Sequence, residues 1–118
     1  MAGQQITVEY FDQNEDFKTL LPRSGHIVQE LSLTDWGSGW KLIDLDEPFD
    51  YQHKVAAPYV FKALHITQLL VKSRWEGFPI GGAEPTSVFV LLVSDPAVLT
   101  NHALSSNDFI HVCWGMVH

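Results

Sequence analysis

The residues best suited to chemistry in this chain are one cysteine, six histidines and a short run of acids. His111 and Cys113 stand two apart in Phe109 to Val117, a segment that reads as a strand, so a two-residue period sets them on one side. Such a pair could ligate a soft metal or work as a thiolate and its base. Zinc takes about four donors, and His26, His53, His65, His102 and His118 stand at no zinc-like spacing. For catalysis, residues two apart on a strand are separated by roughly 6.5–7 Å, too far for direct proton transfer. The favoured reading makes Cys113 a small buried hydrophobe.

Asp44, Asp46, Glu47 and Asp50 place four carboxylates within seven residues. Calcium loops converge several oxygens around a sharp bend, often at glycine, whereas here Pro48 and Phe49 interrupt the run. A solvated acidic edge that discourages strand aggregation explains the run better, and the same edge could meet a basic partner. No serine lies in Gly-x-Ser-x-Gly, and Gly77, Gly81 and Gly82 do not form a phosphate-cradling loop. The sequence therefore assigns no catalytic residue, no metal and no cofactor, and leans against an enzyme.

Binding is better supported. Arg74, Trp75, Glu76 and Phe78 crowd a cation and two aromatics into a turn-like segment with Gly77 and Pro79. Trp36 and Trp40 flank a second turn. Aromatics bury much area at small entropic cost, which suits contact surfaces. The competing reading is ordinary core and loop packing.

The elements that must carry these residues are mostly strands. Ile6 to Phe11 alternates as a strand with one buried face, and Asn14 can cap a short helix over Glu15 to Leu21. Arg23 to Gly25 reads as a loop. Ile27 to Leu33 and Trp40 to Leu45 read as a hairpin around Asp35 to Gly39, whose glycines can take positive φ. Its expected faces are Ile27, Gln29, Leu31 and Leu33 on one side of the first strand, and Trp40, Leu42 and Asp44 on one side of the second. Asp46 to Pro58 reads as a long excursion or irregular edge. Residues 60–75 fit both a helical stripe and alternation, with a strand favoured over 65–75. Thr86 to Ser94 is apolar on both faces, the mark of a central strand covered on both sides. Asp95 and Pro96 start a second short helix.

The fold expected is mainly β with some α: an antiparallel curled sheet or small barrel with two short helices, in one domain over residues 1–118. Its hydrophobic share of 46% supports a real core. A net charge of −7, with dispersed cations, argues against nucleic-acid binding. The longest apolar run, Val88 to Val93, is far short of the ~20 residues that span a bilayer. With no signal-peptide pattern at the N-terminus, the expected location is the cytoplasm.

The leading functional expectation is a non-enzymatic acidic module that recognises another protein, with self-association as one form of that recognition. Neutralising a basic partner, as antitoxin-like or immunity-like proteins do, is one version suggested by size and charge. The alternative is a small-ligand-binding β-barrel or small enzyme, with an aromatic-lined pocket and His and Asp polar groups.

Overall fold

Six antiparallel strands follow one another round a closed barrel in the computed structural model. It describes residues 5–10, 23–56, 60–74, 80, 85–100 and 103–117. The strands are β1 (Gln5–Tyr10), β2 (Arg23–Leu33), β3 (Gly37–Ala56), β4 (Val60–Ser73), β5 (Thr86–Leu92) and β6 (Ile110–Val117). Each pairs with its sequence neighbour, and β1 closes on β6 through Val8 opposite Val117. Closure removes the unpaired edges that an open sheet would expose.

Alternation fills the inside. Ile6, Val8, Ile43, Leu69, Val71, Val88, Val90, Leu92 and Val117 form its buried cluster. Several of these are β-branched, as suits a pleated, packed surface. A second cluster lies on the outside, where Leu33, Trp40, Leu42, Leu70, Leu91 and Val93 meet Leu104 and Phe109. The chain between β5 and β6 supplies that cover. It carries two short 3-10 helices, Pro96–Thr100 and Ser106–Asp108. The first begins as its sequence suggests, with the Ala97 N–H donating to the Asp95 carboxylate at 3.0 Å. It runs for five residues as a 3-10 turn and is not an α-helix. The helix expected at Glu15 to Leu21 lies outside the described residues.

The strand expected over Thr86 to Ser94 runs from Thr86 to Leu92 as one stave of the closed barrel, with Val88, Val90 and Leu92 inside, and with Leu91, like Val93 just past its end, beneath the outer cover. Cover fails at one place: Phe89, on the outer face, is 39% exposed. The ambiguous 60–75 stretch is strand from Val60 to Ser73, so the helical stripe there has no structural counterpart.

Three expectations need correction. Arg23 to Gly25 is the start of β2 and pairs with β1, Thr7 opposite Ser24. A side chain at Gly25 would meet the Asp44 carbonyl oxygen at 2.4 Å, so this close approach of β2 to β3 requires glycine. Ile27, Gln29, Leu31 and Leu33 do not share a face. Register shifts follow Ile27 and Leu31. Ile27 therefore packs on the interior cluster while Leu31 and Leu33 join the outer one. Finally, Asp46 onward is no excursion, because β3 runs on to Ala56. Leu45 to Pro48 fall between the pairs Asp44–Gln68 and Phe49–Ile66, so Pro48 sits where the ladder asks for no N–H. Beyond that irregularity, Phe49 to Ala56 and Val60 to Ile66 continue as a two-stranded ribbon.

Among the described residues, no helix is long and apolar enough to cross a membrane.

Candidate functional site

The turn between β2 and β3 contains Asp35 and Trp36, and the chain leaves it through Gly37 at φ 80° and Gly39 at φ 94°. Positive φ is costly for residues with a Cβ, so the two glycines set this exit. Trp36 and Trp40 are thereby brought face to face, ring centroids 6.0 Å apart and planes inclined by 24°. Their environments differ sharply. Trp40 is 1% exposed in the outer cluster, while Trp36 is 39% exposed.

β4 brings Lys72 across the same turn. Its stem passes the glycines, with Cε 3.7 Å from where a Cβ on Gly39 would lie. Its ammonium donates to the Trp36 carbonyl at 3.2 Å and lies 5.9 Å from the Trp40 ring centroid. β5 then places Phe89 directly opposite Lys72. Trp36, Trp40, Lys72 and Phe89 line a cleft of about 360 Å³ on the outside of the barrel. Arg74, one alternation beyond Lys72, holds its guanidinium 5.6 Å from the Phe89 ring centroid. It also donates a long hydrogen bond to the Ser87 hydroxyl at 3.4 Å.

Of the two segments singled out in the sequence, one is described through Trp36 and Trp40 and the other through Arg74 alone. Trp36 and Trp40 line the cleft, and Arg74 stands beside it. Trp75, Glu76 and Phe78 lie outside the described residues. Lys72 and Phe89 escaped the sequence reading, although alternation already sets Lys72 and Arg74 on the Leu70 face, and Phe89 on that of Leu91. What the sequence lacked was the β4–β5 register that brings those faces together.

The acids behave differently. Asp44 accepts from the Gln68 amide at 2.7 Å, and Asp46 accepts from the Gln5 amide at 3.1 Å. Asp46 also lies 3.1 Å from His26, Glu47 lies 3.7 Å from Arg23, and Asp50 lies 2.9 Å from His65. Each carboxylate engages its own neighbours on β1, β2 or β4. Among the described residues, no three of His, Cys, Asp and Glu cluster where they could hold a metal ion. The side chains of His111 and Cys113 lie outside the described set. The backbone still bears on them: pairing shifts between Val90–Cys113 and Leu91–His111, leaving Val112 extra. That bulge interrupts the alternation from which a common face was inferred.

A clasp holds the cleft's outer wall in place. The Ser106 N–H donates to the Asp35 carboxylate at 2.9 Å, and the Ser106 hydroxyl donates to its other oxygen. Next to it, the Thr34 N–H donates to the Leu104 carbonyl at 2.7 Å. The side-chain bond from Ser106, then its backbone bond, hold the Asp35 carboxyl below its ordinary value. A lowered folded-state pKa contributes stability above the unfolded value, about 3.9, that is lost as pH falls through the folded one. Asp35→Ala should therefore lower the melting temperature at neutral pH, by a margin that shrinks as the solution is taken below about pH 4. Melting curves of both proteins across acid pH check this, and a margin constant with pH would count against the clasp.

Comparisons with protein-family models, curated proteins and solved structures return no match.

Proposed function

We propose that this chain is a non-enzymatic binding module that recognises another protein through the Trp36–Trp40–Lys72–Phe89 cleft. The observation that carries this reading is that two of the three exposed large apolar side chains among the described residues, Trp36 and Phe89, line one cleft beside the cluster that Leu104 and Phe109 cover, the third being Val28 outside it. Exposed aromatics gathered round a concavity are the usual make-up of a contact hot spot. Among the described residues, the interior cluster is apolar and nearly inaccessible, with Thr86 the one buried polar residue, which supports the same side of the choice. Packed interiors of small barrels do not serve as ligand chambers.

A second reading rests on the size of the cleft. At about 360 Å³ it lies within the range of small-molecule pockets, which start near 300 Å³. A planar apolar ligand would fit its aromatic lining. Among the described residues, neither histidine nor aspartate lines the cleft.

A random-peptide display library, selected on the wild-type protein and counter-screened on Trp36→Ala and Phe89→Ala, tests the proposal. Expected are enriched peptides whose binding falls at least roughly tenfold on either variant, the loss of one hot-spot contact. Peptides that bind wild type and variants alike would overturn the assignment of this surface, as would failure to enrich any.

A further inference from the structure

The geometry points to an acidic apolar segment as what the cleft takes: a partner chain with an aliphatic or aromatic side chain beside a carboxylate. This deepens the reading above and rests on it. Three of the four described residues that line it are aromatic, and they set the apolar half of the recognition. The fourth is Lys72, and its placement sets the polar half.

Lys72 is not a loose surface lysine. Its stem lies over the Gly37–Gly39 exit, its ammonium is tied to the Trp36 carbonyl at 3.2 Å, and it sits 5.9 Å from the Trp40 ring centroid. An ammonium has three N–H donors, and the Trp36 carbonyl takes one. Among the described residues, none of the ion pairs involves Lys72. They join Arg23 to Glu47 and Lys41 to Glu30, while Asp46 and Asp50 face His26 and His65. The cation is therefore held in the wall of an apolar cleft with donors to spare. A partner's carboxylate would find it already ordered, so little side-chain entropy is lost on contact.

The setting sharpens the contrast. The chain carries −7 overall, yet the group that the Trp36 carbonyl holds in the cleft wall is a cation. The acid nearest in sequence, Asp35, is turned to Ser106. The acidic stretch Asp44 to Asp50 is held by contacts to Gln5, Arg23, His26, His65 and Gln68. A lysine fixed in the wall of an aromatic cleft, on an acidic protein, selects an anionic ligand by position and not by overall attraction.

Three fluorescein-labelled peptides test this, identical except that a central Leu-Phe pair is flanked by glutamate, glutamine or lysine. Anisotropy titrations should rank them glutamate, glutamine, lysine, with about fivefold between the first two, the equivalent of one exposed charge contact. The preference should shrink with added salt, vanish in Lys72→Met and persist in Lys72→Arg. Melting temperatures of both variants show whether the turn has kept its fold, and Lys72→Arg decides the matter if Lys72→Met has not. Equal binding of all three peptides, lost in Phe89→Ala, would overturn the acidic preference and leave the cleft as a binding surface. Absence of any Phe89-dependent binding would overturn both.

Discussion

Leu91→Ala should destabilise the fold by about 2–5 kcal/mol, whereas Phe89→Ala, two residues away on the same face, should cost about 1 kcal/mol or less. The two positions look alike in the sequence, both large and apolar within one run. Leu91 lies opposite Leu70 and under Leu104 and Phe109, with no surface left to solvent. Deleting its side chain leaves a cavity that a closed barrel relaxes into poorly. Phe89 lies past the edge of that cover, 39% exposed, and its loss forfeits partial burial and the Arg74 contact. Equilibrium urea unfolding of both variants measures the difference. Equal losses would mean that the 94–109 segment does not cover the outer face as described. The contrast also matters for function, because a site residue whose loss leaves the fold intact is what the binding experiments need.

Much of this architecture was legible in the residues. The run from Val88 to Val93 announced a strand buried on both faces, and the glycines at 37 and 39 announced a turn with positive φ. Trp40, Leu42 and Ile43 fell on the faces that alternation gives them. What could not be read was where alternation breaks. A bulge leaves no mark in composition, so Ile27 and Leu31 seemed to share a face that the register shift between them divides. Pro48 and the surrounding acids suggested that β3 had ended. The strand instead carries those residues between two paired stretches, where no ladder N–H is required.

The cleft was half legible for a related reason. Trp36 and Trp40 are joined by a short turn, so local sequence suffices to set them side by side. Lys72 and Phe89 come from two further strands, and their meeting with the tryptophans depends on the β3–β4 and β4–β5 registers. Those registers are fixed by which residues fill the barrel, a property of all six strands together.

Trp40→Ala should be the most damaging single truncation near the site, at about 3–5 kcal/mol, and Trp36→Ala should cost about 1 kcal/mol. Trp40 belongs to two structures at once. Its ring is 1% exposed in the outer cluster, and it also lines the cleft. Its indole N–H is buried and has no hydrogen-bond partner among the described residues. A buried donor left unpaired costs about 1–3 kcal/mol, so Trp40→Phe gives up packing but also removes that penalty. Its net loss should be small beside that of alanine, about 1 kcal/mol. Urea unfolding of Trp40→Ala, Trp40→Phe and Trp36→Ala reads the three values side by side. Trp40→Phe as damaging as Trp40→Ala would mean that the N–H is satisfied in solution. Trp36→Ala as damaging as Trp40→Ala would mean that the turn is core and not an exposed wall. With the expected order, the floor of the cleft is fixed by the same packing that covers the barrel, so the rigid part of the site is already in place before any partner arrives.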